Sequence, residues 1–170
     1  MKTAMLLLSF AIIVFSSCTK STEPVSERVK NSTGATASST VNKTLMLQLV
    51  NEVRKKGCQC GDVYYAPAQP VTWNNQLEQA ANNHSMDMYR NNYFSHTAPS
   101  GTTPAQRIEQ AGYRWMAYGE NIGFGYKSEK EVVDAWISSP GHCANLMGKK
   151  FKEMGVARVG NYLTQDFGAR

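Results

Sequence analysis

The chain has 170 residues, a formal charge of +5 and 42% hydrophobic residues. That length suits one domain with a single core plus an extension. The basic excess is modest and spread along the chain, without the concentrated basic face that nucleic-acid binding needs, so nucleic acid is not an expected partner.

In chain order, the first feature is an export signal. Met1-Lys2-Thr3 is a short positive start, and Ala4 to Phe15 is an apolar run broken only by Ser9. The run falls short of the ~20 residues that a permanent bilayer helix needs, but it suits the apolar centre of a signal peptide. It closes on Phe15-Ser16-Ser17-Cys18, which resembles the lipobox of bacterial lipoproteins, with phenylalanine where leucine is usual. The resemblance implies removal of residues 1–17, lipidation of Cys18 and the membrane as a partner through that anchor. An ordinary cleaved signal peptide is the alternative reading. Between Thr19 and Thr40, 10 of 22 residues are Ser or Thr and few are apolar. Such a stretch buries too little surface to offset its ordering entropy, so residues 18–40 read as a flexible tether. Residues 41–170 are then the folded domain.

Within the domain, Leu45, Met46, Leu49, Val50 and Val53 recur on one helical face, and Gly57 stands where that helix ends. Cys58 to Val71, with Pro67 and Pro70, reads as loop. A second helix follows a cap at Asn74 or Asn75, with Leu77, Ala80, Ala81, His84 and Met88 as its apolar stripe. Thr103-Pro104 opens a short helix that runs to Gly112. Trp115 to Ile122 reads as a strand. Ser128-x-x-Glu131 is a capping-box pattern ahead of Val132, Val133 and Trp136. Pro140-Gly141 is expected to end that helix, with at most one further turn from Ala144 to Met147. Val156–Val159 and Tyr162–Phe167 flank Gly160-Asn161, a two-residue hairpin link. Helices, a strand, a helix and a terminal hairpin point to an α+β layered domain, with a small antiparallel sheet flanked by helices, rather than an alternating parallel fold.

Besides Cys18 there are three cysteines, Cys58, Cys60 and Cys143. An odd number in an oxidising compartment predicts one bridge and one free thiol. Cys58 and Cys60 are too close to bridge comfortably, so Cys143 is expected to pair with Cys58 or Cys60. Metal binding by Cys-x-Cys is the alternative, although zinc-thiolate sites prefer wider spacing and more ligands.

From about Leu45 to Gly168 the chain resembles the CAP superfamily of cysteine-rich secretory and pathogenesis-related proteins, also called SCP domains. The pieces occur in the family's order: Trp73-Asn74, Ala80-Ala81 with His84-Ser85-x-Asp87-Met88, Phe94-Ser95-His96, Gly101 and Arg107, and Ala111-Gly112-Tyr113. Gly119-Glu120-Asn121-Ile122, Trp136-x-x-Ser139-Pro140-Gly141-His142, Gly155-Val156 and Thr164-Gln165-Asp166-Phe167-Gly168 complete the set. The resemblance implies an αβα sandwich with a cleft on one side that gathers two histidines and two acidic residues. His96, Glu120 and His142 match three of these positions, and the fourth falls at Ser139. Gln165 and Asp166 alternate along a strand, so one of them faces the cleft, and the family pattern favours Gln165.

Two imidazoles and a carboxylate are a sound ligand set for zinc or another divalent cation, with a position left for water. The alternative is a hydrogen-bonded His–Glu network that stiffens the cleft without metal. His84, on an apolar stripe, reads as a core histidine, and Trp115, Tyr118, Trp136 and Phe167 as core or cleft wall. Arg107 suits a carboxylate or phosphate, with Glu109 or a loop carbonyl as the expected partner. Ser95 and Ser139 lie near the histidines, but there is no nucleophile elbow and no evident oxyanion hole. The sequence therefore favours an envelope-anchored binding module, on the periplasmic face or cell surface, for a lipid, peptide or protein ligand. A metal-dependent hydrolase acting on peptide or wall material, and a structural lipoprotein, are the other readings.

Overall fold

A short polar side chain opens the first helix. In the computed structural model, which describes residues 41–170, Asn42 accepts a hydrogen bond from the Leu45 N–H and caps α1 (Lys43–Lys56). The expected signal peptide over residues 1–17, the Cys18 lipidation site and the 18–40 tether lie outside the described residues. Asn42 also donates its backbone N–H to Glu129 at 2.8 Å, and Val41 beside it is buried. The buried stripe of α1 is Met46, Val50 and Arg54, one residue every turn or so. Arg54 is fully buried and donates to four backbone carbonyls, those of Gln69, Leu146, Gly148 and Phe151. Burial lowers its pKa.

The stretch read as loop after Gly57 is partly ordered. β1 (Cys58–Cys60) and β2 (Val63–Tyr65) form a hairpin across Gly61-Asp62, and β3 (Thr72–Trp73) follows. Strands of two or three residues are too short to leave a periodic signal in sequence. Asn74 then caps α2 (Asn75–Asn91), whose stripe buries Leu77, Ala80, Ala81, His84, Ser85 and Met88. Thr103 and Gln106 form a capping box on α3 (Pro104–Gln110). β4 covers Ala117–Phe124, two residues later than expected at both ends. Ser128 caps α4 (Glu129–Ser138).

Pro140 does not simply end a helix. Ser139 is at once the last cap of α4 and the first cap of α5 (Pro140–Leu146), with the proline in its first turn. A proline cannot continue a helix but is well suited to start one, so the chain turns sharply here. β5 (Glu153–Val159) and β6 (Tyr162–Ala169) form the terminal hairpin.

The main sheet has the order β3-β5-β6-β4. It is the expected small antiparallel sheet, with the two-residue β3 added at one edge parallel to β5. β6 is central and buried along its whole length. One sheet face carries α2 and the other α1, α4 and α5, giving three layers. The larger core, including Val50, Trp136, Met154, Leu163 and Phe167, lies on the α1/α4 side. On the opposite side α2 lies against β5 so closely that a Cβ on Gly155 would come 2.0 Å from the Glu78 backbone nitrogen.

The disulfide joins Cys60 to Cys143, linking β1 to α5, and Cys58 is free. Among the described residues no helix is long and apolar enough to cross a membrane.

Candidate functional site

β4 is an edge strand of the sheet, and its alternation divides the site between two faces. Glu120 points towards α2 and α3, where its antiparallel partner is Asp166. Asn121 points the other way, paired with Gln165.

On the first face, three elements converge on one carboxylate. Glu120 Oε2 accepts from Arg107 of α3 at 2.7 Å, and Oε1 lies 2.7 Å from His96 Nδ1. Arg107 donates as well to the carbonyls of His96 and Thr102, so it fixes the loop that carries the histidine. His84 supports the same loop from below, its Nε2 lying 2.9 Å from the Ser95 carbonyl. A carbonyl can only accept, so Nε2 carries the proton and the ring presents an unprotonated Nδ1, which is buried without a partner. Burial holds the His84 imidazole below its usual pKa. The side chain of Glu120 is 2% exposed and that of His96 48%. The carboxylate is thus a buried anchor and the imidazole the group that solvent and ligands meet. Because Glu120 is paired with a guanidinium, His96 donates through Nδ1–H and leaves Nε2 directed away from the pair.

Asp166 is wholly buried beside Glu120, and neither of its oxygens has a hydrogen bond of ordinary geometry. Burial first, and the Glu120 charge second, hold its carboxyl well above the usual carboxylate range.

On the second face, α5 brings His142 to the same rim. Asn121 donates to the His142 carbonyl and to Gln165 Oε1. Asn145 of α5 donates to the Glu120 carbonyl and to Asn121 Oδ1. These amides fasten α5 to β4 at both its first turn, through the His142 carbonyl, and its last, through Asn145. His142 is half-buried; burial lowers its pKa, and the nearby His96 acts in the same direction. Alongside runs a groove of about 240 Å3 lined by Phe94, Phe124, Tyr126, Trp136, Ser139 and His142, among others. Phe94 and Phe124 stack at a tilt, 6.0 Å between centroids, and both are half exposed. A larger hollow of about 570 Å3, lined by Glu109, Gly112, Arg114 and Trp115, shares no residue with this groove.

The structure therefore brings together His96, Glu120, His142 and Ser139 around one rim. Gln165 does not reach the cleft surface: it is fully buried and touches the site through Asn121. Asp166 is the residue on the Glu120 face. Arg107 bonds loop carbonyls as expected, but its acidic partner is Glu120, not Glu109. His84 is a core histidine, as its place on the stripe indicated. Asn121 and Asn145 carried no sequence signal beyond the Gly-Glu-Asn motif, since their role depends on how α5 docks.

A protein-family model described as CAP, the cysteine-rich secretory protein family, matches residues 47–167. Among curated proteins, the chain is 31% identical over 143 residues to the uncharacterized protein YkwD of Bacillus subtilis, covering 83% of this chain and 52% of that one. It is 32% identical over 97 residues to the uncharacterized membrane protein YlbC of the same organism, covering 57% of this chain and 28% of the other. The chain thus spans about half the length, or less, of the curated relatives it matches. Among solved structures, an extracellular protein containing a SCP domain from Bacillus anthracis aligns with a TM-score of 0.66 at 28% identity, over 75% of this chain and 40% of that one. An outer surface protein of Borrelia burgdorferi aligns with a TM-score of 0.65 at 24% identity, over 75% and 91% of the two chains.

Proposed function

Because the chain belongs to the CAP family, we propose that it works as an exported binding module, anchored in the cell envelope through Cys18, whose cleft holds an apolar segment of a lipid, peptide or protein ligand. The observation that carries this reading is the state of Glu120. Both of its oxygens are already engaged, one by Arg107 and one by His96, so the carboxylate is committed to holding the cleft in shape. With both oxygens bound, Glu120 is not free to take a proton from water, so a hydrolase at this site would have to use His96 Nε2 or His142 as its base. The aromatic groove beside His142 instead offers apolar walls with a polar rim, which is equipment for retention. The extracellular and outer-surface relatives, together with the N-terminal export signal, support placement outside the cytoplasm.

Two imidazoles on one rim are also a donor pair of the kind that takes a divalent ion such as zinc, although among the described residues the ligand atoms of three such side chains converge only at Cys58, Cys60 and Cys143. His96 Nε2 and His142 are the groups that would hold it. Glu120 would not ligate but would orient His96 through its Nδ1–H, as carboxylates commonly do for metal-bound histidines. Two imidazoles leave the remaining positions to water, and a bound ion there would supply a charge for an anionic ligand group.

Two measurements test the reading. Elemental analysis and zinc titration of the chain should show metal bound by the parent and lost in His96→Ala/His142→Ala. Fluorescent fatty acids and a peptide library should bind the parent, with Phe124→Ala/Tyr126→Ala weakening capture by about tenfold, roughly the loss expected for two truncated aromatic walls. Ester or peptide turnover that disappears in a folded His142→Ala variant would replace the binding reading with the hydrolase one.

A further inference from the structure

Three sulfurs meet where β1 docks on α5. Cys60 and Cys143 are joined and both are buried, while Cys58 carries a free, half-buried thiol. The Cys58 Sγ lies 3.6 Å from the Cys143 Sγ, in van der Waals contact with one sulfur of the bridge. All three sulfurs lie within 4.8 Å of one another. This follows from the spacing: residues two apart on a strand point to the same face, so Cys58 and Cys60 both face α5. Val53, Tyr65, Ala68 and Met147 pack around the group.

We propose that Cys58, Cys60 and Cys143 form a thiol–disulfide exchange site, with Cys143 as the shared central sulfur and Cys58 as the thiol open to external disulfides. In the internal step the Cys58 thiolate attacks Cys143 Sγ. The Cys58–Cys143 bond forms as the Cys143–Cys60 bond breaks, the electron pair leaves on the Cys60 sulfur, and the proton given up by Cys58 is restored to Cys60. No oxidant is needed. From the fully reduced chain, Cys58 attacks an external disulfide R–S–S–R and releases one thiol. Cys143 then displaces the second thiol from Cys58, and Cys60 attacks Cys143 to restore the observed bridge and a free Cys58. Two protein thiols are oxidised and the external disulfide is reduced to two thiols; the reverse sequence reduces the protein. Cys60 and Cys143 are shielded from an external disulfide by the fold, whereas Cys58 is reachable. The third cysteine thus has a chemical role, and the exchange takes place next to His142 at the rim of the cleft.

The test uses the full chain carrying Cys18→Ser, so that three cysteines remain, starting from the reduced form. Oxidised glutathione is added, samples are quenched by alkylation, and tandem mass spectrometry separates Cys58 from Cys60 by fragmentation next to Gln59. Glutathione should appear first on Cys58, followed by a Cys58–Cys143 species and then by Cys60–Cys143. Adding Cys58→Ser should slow closure of the Cys60–Cys143 bridge by about tenfold or more, because access governs the rate of exchange. Adding Cys60→Ser should leave Cys58–Cys143 as the end product with an unchanged circular dichroism spectrum. Closure that is equally fast in Cys58→Ser, or two persistent thiols in folded Cys60→Ser, would overturn the proposal. Should Cys60→Ser not fold, the time course of the parent decides: glutathione appearing first on Cys60 or Cys143, with no Cys58–Cys143 species, also overturns it.

Discussion

Arg107 holds Glu120, the His96 carbonyl and the Thr102 carbonyl at once, and its side chain is almost wholly buried. Replacing it with a neutral side chain leaves Glu120 charged, buried and without its cation. Arg107→Met is therefore expected to cost about 3–5 kcal/mol, the usual penalty for removing one partner of a buried pair, read from the urea midpoint. Proton linkage gives a second expectation. His84 and His142 have depressed folded pKa values, against an ordinary value of 6.5. The folded state therefore binds fewer protons than the unfolded one, so their contribution is complete above that value and is lost as the pH falls from there. Asp166 acts in the opposite sense: its raised pKa means that its contribution, full below 3.8, is lost as the pH rises. Asp166→Asn should accordingly raise the urea midpoint near neutrality, with the gain shrinking on acidification to about pH 4. A gain that persists there would contradict the assignment. At this scale His96, Glu120 and His142 were legible because short motifs carry them. The Arg107–Glu120 pair and the place of Asp166 were not: the first depends on how α3 docks on β4, the second on the register of β4 against β6, which brings together residues distant in the chain.

Among the elements, the long helices and the β5–β6 hairpin could be read from caps, stripes and the Gly160-Asn161 link. The β1–β2 hairpin and α5 could not. The first is anchored by a bridge from Cys60 whose partner lies 83 residues away, and a single proline looks alike whether it closes one helix or opens the next. The contact of α2 with β5 is equally hidden in sequence, and it makes a firm prediction. At Gly155 the neighbours are α2 backbone atoms: a methyl group there would sit 2.5 Å from the Leu77 carbonyl carbon and closer still to the Glu78 nitrogen. Backbone cannot turn aside as a side chain can. Gly155→Ala should therefore cost at least about 3 kcal/mol, the upper range for overpacking, measured as a fall in the thermal midpoint. A loss below about 1 kcal/mol would show that α2 can lift off the sheet.

Across the whole molecule, two fasteners tie the segment around α5 back to earlier chain. Arg54 reaches the carbonyls of Leu146, Gly148 and Phe151, and the Cys60–Cys143 bridge closes a loop of sequence separation 83. In the chain-entropy view such a loop is worth about 4–5 kcal/mol. Reductant should lower the urea midpoint of the parent but leave that of Cys143→Ala unchanged, because Cys143 is the sulfur common to both pairings. A further drop in the variant would mean that reductant acts elsewhere. The clip from Asn42 to Glu129 bears on approach to the cleft. Glu129 begins α4, and Ser139, in the groove, follows its end. At 1.5 Å per residue these two points stand about 15 Å apart. Chain preceding Val41 therefore joins the domain a full helix length from the histidine rim. A dye, bead or sensor surface coupled on that side would stand clear of the Ser139 end of the groove but close to its Tyr126 end, so crowding from the attachment would be felt at one end first.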